Sequence, residues 1–328
     1  MTCPAAPGLR RGFLAGTFSL KGAIDLANQN TLRSRELMMR EARTAYLFLL
    51  PCLIFFVGFV VFPMFICIFY SLTNANMNAK AATEFIGLLN FQKLFSDKTF
   101  LEALRNTFVI VIVSVPAVCA FSLWVSSAIY KLSGPVLSTF RCIFYLPVVT
   151  GSVAVTVVWK WMYDNYTGIL NYVLKGAGLI EKNINWLGDS KYALWCIILI
   201  LFTTSVGQPI VLYVSALGNV DATQIEAAKV DGATDFEVFW HVKWPQMMPT
   251  TLYILVITTI NSFQCFALIQ LLTSGGSGTN TVMYYIYFTA FKLTEQLGHF
   301  GYANAMGVVL AIFIGILSAV QFKLAEEK

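Results

Sequence analysis

The sequence contains few charged residues and little that suggests a catalytic or metal-binding chain. Charged side chains make up 12% of the 328 residues and hydrophobic ones 57%, whereas a soluble protein carries roughly 25% charged residues. The seven cysteines form no C-x-x-C pair, and His241 and His299 are the only histidines, so we expect no metal site. The glycine-rich stretch 273–281 has no lysine, so the nucleotide-binding pattern G-x-x-x-x-G-K-[ST] is missing and no ATPase activity is expected of this chain.

Long apolar runs dominate the rest of the sequence. A helix that crosses a bilayer needs roughly 20 apolar residues, and six runs have about that length: 45–70, 107–130, 142–159, 192–217, 245–272 and 302–322. Their interiors contain no Asp, Glu, Lys, Arg or His, which disfavours a proton-coupled or sodium-coupled carrier and a voltage sensor. The sequence predicts an all-α integral membrane protein with six transmembrane helices. Kinks are predicted at the internal prolines Pro63, Pro116, Pro147 and Pro209.

The distribution of basic residues predicts the orientation of the chain. Seven Lys/Arg and three acids precede the first run, so the positive-inside rule places this tail in the cytoplasm. Six spans place the C terminus on the same side. We expect a basic cytoplasmic tail over residues 1–44, a membrane domain over 45–324 and a short cytoplasmic tail over 325–328. Residues 33–43 fit either a helix on the inner membrane surface or a helical extension into water.

The polar loop between the fourth and fifth runs, residues 218–247, has the pattern of two capped helices around a glycine. Asp221 is a candidate N-cap, with Gln224 in the position that completes a capping box. Gly232 follows this first helix and supplies the left-handed conformation that often ends one. Thr234 then begins a second box, three residues before a glutamate. The capping pattern predicts either a docking surface or a hairpin that only connects two spans.

One stretch of this loop, EAAKVDGATDFEVFWHVKWP, resembles the EAA loop of the permease subunits of bacterial ATP-binding-cassette (ABC) importers. The matching residues are Glu226, Ala227, Ala228, Asp231, Gly232, Ala233 and Pro245. Further stretches resemble the carbohydrate-uptake, maltose-type branch of that family: FIGLLNFQKLFSD, VVWKWMYDNYTGILNYVL, INWLGD, ALIQLLTSGG and FGYANAMGVVLAIF. The resemblance extends over residues 45–324 and implies the type I importer permease fold, with the EAA loop as the coupling loop.

The resemblance implies a function within a larger assembly in the bacterial cytoplasmic (inner) membrane. The chain would be one permease subunit of an ATP-driven, binding-protein-dependent sugar or oligosaccharide importer. Its implied partners are a second homologous permease, two cytoplasmic ATPase subunits, an extracytoplasmic solute-binding protein, a saccharide and membrane lipid, and no nucleic acid. The chain itself would bind no cofactor, because ATP and Mg²⁺ are bound by the ATPases. Their closure on ATP would push the loop and turn the spans from inward-facing to outward-facing.

The resemblance also implies where substrate passes, because substrate contacts in maltose-type relatives come from the fourth and fifth spans. The corresponding residues and their neighbours are Thr204, Ser205, Gln208, Asn261, Ser262, Gln264 and Cys265. Asn261 stands where an aromatic residue is usual, and Cys265 where an amide is usual, so the identity of the sugar stays open. Because Asn261, Gln264 and Cys265 share a helix face, we expect them to line one cavity. Alternatively, the amides bond only to neighbouring helices.

Two other functions remain open from the residues alone. One is an ATP-independent carrier or channel for a polar uncharged solute, which co-purification of an ATPase subunit would exclude. The other is a structural assembly subunit, in which replacing the span amides would leave transport unchanged. Uncharged spans favour a neutral saccharide, while Arg141 and Lys160 at span ends leave an acidic one open.

Overall fold

Helices joined by short loops make up the described part of the chain. The computed structural model describes residues 39–76, 83–291 and 299–326. Over these ranges there is an isolated bridge between Thr73 and Phe85 and no strand, which confirms the predicted all-α class. The chain divides into two compact units, residues 1–65 and 66–328. Most of the predicted basic tail, residues 1–38, lies outside the described residues.

The first, second, fifth and sixth predicted spans are helices long and apolar enough to cross a membrane as they stand. The helices, in chain order, are α1 Met39–Ser71, α2 Leu89–Ser96, α3 Lys98–Ile129, α4 Gly134–Thr150, α5 Ser152–Met162, α6 Ile169–Gly176, α7 Ala193–Ser205, α8 Gly207–Gly218, α9 Ala222–Val230, α10 Asp235–Val238, α11 Trp244–Phe263, α12 Ala267–Leu272, α13 Val282–Phe291 and α14 Phe300–Glu326. The fifth span is the stretch Asp235–Leu272, which contains α10, α11 and α12.

The third and fourth predicted spans are bent pairs of helices. A bend of 95° separates α4 from α5 at Gly151, whose φ of 85° is a conformation that glycine adopts without strain. A bend of 41° separates α7 from α8 just before Pro209, which has no N–H to donate to the carbonyl oxygen of Ser205. The sharpest break therefore comes from a glycine rather than from Pro147, and α3 continues through Pro116.

Two π-helical turns precede prolines in the first and fifth spans. Val57–Val61 comes before Pro63, and Phe239–Lys243 comes before Pro245. A proline cannot donate to the carbonyl four residues earlier, and a turn closed by an i→i+5 hydrogen bond accommodates that missing bond. The predicted effect of Pro63 is thus a local widening of the helix and not a break, and Pro245, for which no kink was predicted, has the same effect.

The central helix of the larger unit is α3. It packs against α13 and α14 through Val111 and Val115, and against α7 through Ile110. Its C-terminal half packs against α8 through Val118 and Val125. Because lipid tails are as apolar as these side chains, close van der Waals packing and interhelical hydrogen bonds hold the later spans around α3.

Asp97 connects the N-terminal end of α3 to the helices around it through hydrogen bonds. One carboxylate oxygen accepts the N–H groups of Thr99 and Phe100, at 2.9 and 3.3 Å. The other accepts the hydroxyls of Tyr285 and Tyr302, at 2.8 and 2.7 Å. Burial alone would raise the pKa of Asp97, but the hydrogen bonds from the two tyrosines and the two N–H groups hold it below its ordinary value of 3.8.

Candidate functional site

The first helix of the 218–247 loop, α9, is capped at both ends. The Asp221 carboxylate accepts the backbone N–H and the hydroxyl of Thr223, at 2.9 and 2.8 Å, and these bonds hold the pKa of Asp221 below its usual range. At the other end Gly232 has a φ of 87°. Its N–H donates to the carbonyl of Lys229, and the next N–H donates to the carbonyl of Ala228, at 3.1 and 3.0 Å. This pair of bonds is a Schellman motif, and it confirms the predicted helix stop.

The second helix of the loop begins with the predicted capping box. The N–H of Glu237 donates to the Thr234 hydroxyl at 3.3 Å, and the Thr234 N–H donates to the Glu237 carboxylate at 2.8 Å. Lys229 and Asp235 form an ion pair across the turn, at 3.3 Å. The turn geometry therefore fixes the two helices relative to each other, and the exposed ion pair adds a weak contact.

The expected first capping box is wrong in one detail, because Gln224 does not complete it. The side-chain oxygen of Gln224 accepts a hydrogen bond from Nε2 of Gln246, at 2.8 Å. Gln246 lies near the beginning of α11, so this bond ties α9 directly to the fifth span. A partner 22 residues away leaves no trace in the local pattern from which a capping box is predicted.

The tip of the loop presents small and apolar side chains to solvent. Val230 is 88% exposed and Phe236 is 71% exposed. Of the residues that match the EAA pattern, Glu226, Ala227, Asp231, Gly232 and Pro245 are exposed, and Ala228 and Ala233 are partly buried. Exposed apolar side chains on a polar loop are a common feature of protein interaction sites.

The base of the loop is joined to the second span by a buried lysine. Lys243 is 8% exposed, and its Nζ donates to the Tyr130 hydroxyl at 2.8 Å. The same Nζ lies 5.1 Å from the centroid of the Tyr130 ring, within the range of a cation–π contact. A movement of the loop is thus connected to the end of α3 as well as to α11.

A cavity of about 140 Å³ lies between the third, fourth and fifth spans. Four residues of the predicted substrate pathway line it: Thr204, Ser205, Gln208 and Asn261. The other lining residues are apolar or neutral: Val148, Pro209, Leu212, Tyr253, Ile254, Ile257 and Thr258. The lining thus combines neutral hydrogen-bonding groups with apolar walls and carries no charge.

Several polar groups of this cavity have no hydrogen-bond partner within the described part of the chain. The hydroxyl of Thr204 donates to the carbonyl of Ile200. No such bond is formed by the side chains of Ser205, Gln208 or Asn261 within residues 39–76, 83–291 and 299–326. Polar groups in a membrane span need partners, and these are therefore available to a molecule in the cavity or to a second chain.

The cavity lies where the three spans are interrupted. Val148 precedes the bend at the end of α4, Ser205 ends α7, and Asn261 lies just before the end of α11. A Cβ atom at Gly207 would overlap the carbonyl oxygen of Phe144, so this glycine allows the broken fourth span to approach the third. Beyond the breaks, α5 packs against α12.

The remaining three predicted pathway residues have other surroundings. Ser262 is buried and lies 3.5 Å from the hydroxyl of Ser114 in α3. Cys265 is 6% exposed and belongs to the core around α7. Gln264 is exposed and follows the last residue of α11. The expected shared face with Asn261 assumes a continuous helix, but α11 ends at Phe263.

Tyr253, Ile257 and Thr258 also line the cavity, although they were not among the residues predicted from the sequence. Tyr253, Ile257 and Asn261 are spaced by four residues and so lie on one face of α11. This spacing is visible in the sequence, and it becomes informative only once one member of the stripe is known to face a cavity.

The chain belongs to a family of membrane transport components. The family described as "Binding-protein-dependent transport system inner membrane component" matches residues 37–326. The chain is 30% identical to the probable ABC transporter permease protein YesP of Bacillus subtilis, over 90% of this chain and 94% of that protein. These findings confirm the resemblance found in the sequence. The chain is the permease component of such a system and not its ATPase.

Relatives with named substrates and two solved structures are also similar. The multiple sugar-binding transport system permease protein MsmF of Streptococcus mutans is 30% identical over 85% of this chain and 94% of its own length. The lactose transport system permease protein LacF of Rhizobium radiobacter is 29% identical over 86% of this chain and 94% of its own length. A bacterial ABC transporter involved in the import of the acidic polysaccharide alginate superposes with a TM-score of 0.74 at 21% identity, over 90% of this chain and 99% of that one. A second alginate transporter structure, in complex with a pentasaccharide-bound periplasmic protein, also superposes with a TM-score of 0.74. Its sequence identity is 22%, over 86% of this chain and 94% of that one.

Proposed function

We propose that the chain is the permease half of an ATP-driven, binding-protein-dependent importer of a saccharide. The observation that carries this proposal is an uncharged cavity that is rich in unpaired neutral polar groups. The cavity is lined in part by α11, the helix that begins within the exposed 218–247 loop. The printed names of its relatives, which transport lactose and multiple sugars, support a saccharide as the substrate.

In this proposal the 218–247 loop is the surface on which an ATPase subunit docks. The exposed pair Val230 and Phe236 supplies apolar contact area, and the small residues around Gly232 let the partner approach closely. Glu226 supplies an exposed negative charge for a basic residue of the ATPase. ATP and Mg²⁺ bind to the two ATPase subunits, and closure of these subunits moves the loop.

The movement reaches the cavity through two connections. The Gln224–Gln246 hydrogen bond joins α9 to α11, which carries Asn261. The Lys243–Tyr130 contact joins the loop to α3. A displacement of the loop therefore changes the relative positions of helices that line the cavity or support it, as alternating access requires.

A second permease completes the pathway, and a solute-binding protein delivers the substrate from the opposite side of the membrane. The open Ser205, Gln208 and Asn261 side chains face a space that this chain does not enclose alone. We place both termini and the 218–247 loop in the cytoplasm of a bacterium, and α6 outside. The cavity lining has no charge, which favours a neutral saccharide over an acidic one.

Co-purification tests this assignment. The tagged chain, extracted from its host membrane in mild detergent, should bring with it a second permease and an ATP-hydrolysing subunit. Glu226→Ala should reduce recovery of the ATPase most at low salt, because salt already screens an exposed charge contact. Purification of the chain without any ATPase, from membranes that still transport, would exclude the proposed function and favour an ATP-independent carrier.

A further inference from the structure

Tyr253 extends the candidate pathway beyond the residues already assigned to it. It is the aromatic residue among those that line the cavity. It lies on the same face of α11 as Asn261, roughly 12 Å away along the helix axis, since eight residues separate them at a rise of about 1.5 Å each. Ile257 lies between the two and also lines the cavity. The cavity therefore has an amide at one end of the α11 stripe and an aromatic ring at the other.

The Tyr253 side chain is open to a ligand. Its exposed fraction is 50%, and in the described part of the chain its hydroxyl has no hydrogen-bond partner and its ring no aromatic neighbour. It also lies roughly 13 Å inside α11 from Trp244, whereas the aromatic belt of a membrane protein lies at the membrane surface. A tyrosine at this depth with a free ring needs another explanation.

A sugar ring supplies the contacts that this arrangement lacks. A pyranose has an apolar face of C–H groups, which packs on an aromatic ring, and a rim of hydroxyls, which donate to and accept from amides and a phenol. Gln208 and Asn261 offer the amides, and Tyr253 offers both a ring face and a hydroxyl. Binding pockets for small molecules commonly combine apolar walls with a few such polar groups.

We propose that Tyr253 is a second saccharide-contacting residue, which receives a sugar unit on the loop side of Asn261 and contributes to substrate specificity. This inference rests on the proposed function. A saccharide that moves from Asn261 towards the 218–247 loop passes Tyr253 before it leaves the cavity.

Two substitutions separate the ring from the hydroxyl. Tyr253→Phe keeps the ring, and Tyr253→Leu removes it while retaining an apolar side chain. Trp195→Leu is the matched control, because Trp195 is an exposed aromatic of α7 that does not line the cavity. The complex is reconstituted with its ATPase and binding protein. The probe is the radiolabelled sugar that the purified binding protein retains from a mixture of lactose, maltotriose and an alginate oligosaccharide.

Tyr253→Leu should lower the efficiency of ATP-dependent uptake by about 3- to 10-fold, as expected for loss of one aromatic contact. Tyr253→Phe should lose less uptake than Tyr253→Leu, because it keeps the ring and gives up only the hydrogen bond of the hydroxyl. Trp195→Leu should leave uptake unchanged, and all three variants should retain the second permease.

Wild-type uptake by Tyr253→Leu overturns the inference and leaves the proposed function intact. Loss of the second permease from Tyr253→Leu also overturns it, because the ring is then part of the interface between permeases. Absence of ATP-dependent uptake of any of the three sugars by the wild-type complex overturns the proposed function and, with it, this inference.

Discussion

Single residues decide where helices stop and break in this chain, and the sequence identifies some of them. Gly232, Thr234 and Glu237 act as predicted, because capping and helix termination depend on neighbours within a few residues. Gln224 and Cys265 differ from expectation because their environments are set by residues far away in sequence. Local chemistry is therefore readable from the sequence, whereas a side chain's choice between two distant partners is not.

Gly232→Ala should weaken the docking loop although the added methyl group meets no other atom. No atom lies within 4 Å of a Cβ at Gly232, but its φ of 87° is unfavourable for any L side chain, at a cost of about 1–2 kcal/mol. Gly218→Ala is the matched control, since that site is equally open and has no positive φ.

We expect Gly232→Ala to reduce the ATP-dependent uptake rate with normal membrane insertion, and Gly218→Ala to transport as the wild type does. The measurement is uptake divided by the amount of protein in the membrane. Equal uptake by both variants would show that the left-handed turn does not matter for coupling.

The Asp97 cluster predicts a loss of stability in acid. Because the pKa of Asp97 in the folded protein lies below the ordinary 3.8, its hydrogen bonds contribute fully above about pH 4. That contribution is lost as the pH falls through the folded-state pKa. Asp97→Asn should lower the free energy of unfolding at neutral pH by about 1.5–3 kcal/mol, the range for hydrogen bonds to a charged group.

Thermal unfolding of the purified protein between pH 3 and pH 7 measures this effect. The difference between wild type and Asp97→Asn should shrink at the acid end. Glu181→Gln, which changes an exposed acid on the loop after α6, serves as the control and should parallel the wild type. A constant difference across the whole pH range would contradict the assigned role of the carboxylate.

At the scale of helices, apolar length predicts the spans well but misses their shape. The six predicted runs all correspond to helical segments. Two of them, however, are bent pairs of helices, and in the fifth run α11 ends at Phe263, before the end of the run. Gly151 gives no stronger signal in the sequence than other glycines, because its effect depends on a positive φ that only the packed structure imposes. Because the cavity lies at these breaks, the complete set of residues that line it could not be predicted from the sequence.

The connection between the loop and α3 should be needed for coupling more than for folding. Tyr130→Phe removes the hydrogen-bond acceptor of Lys243 and keeps the ring beneath its ammonium group. We expect ATP hydrolysis to persist while the number of sugars imported per ATP falls by about 10-fold or more, the equivalent of one hydrogen bond to a charged group, about 1.5–3 kcal/mol.

The ratio of uptake to phosphate release in proteoliposomes measures that coupling. Tyr145→Phe on α4 is a control, because the described structure assigns its hydroxyl no hydrogen bond. A parallel fall in hydrolysis and uptake by Tyr130→Phe would indicate damage to ATPase docking instead of transmission.

At the scale of the whole molecule, we propose that the chain is one part of a transporter. Its cavity has unpaired polar groups and its loop exposes apolar side chains, and each feature needs a partner. The family and the fold were predictable from motifs spread over residues 45–324, and the match over residues 37–326 confirms them. The identity of the sugar could not be predicted from the sequence, because neutral amides and hydroxyls accept many saccharides.

The orientation of the chain is open to a direct test. In a background without the seven native cysteines, Lys175→Cys on α6 should react with a membrane-impermeant maleimide when the outer membrane alone is permeable. Lys229→Cys on α9, the matched site in the docking loop, should react only after lysis. The reverse labelling pattern would invert the proposed topology.

ATP-dependent uptake in proteoliposomes tests the central claim most directly. The complex of this chain with its second permease and ATPases is reconstituted, and the sugar-loaded binding protein is supplied on the face opposite the ATPases. The account predicts accumulation of sugar only when ATP, Mg²⁺ and the binding protein are all present, with loss of accumulation in Gly232→Trp. Equal sugar entry without ATP would contradict it and identify the chain as part of a passive carrier or channel.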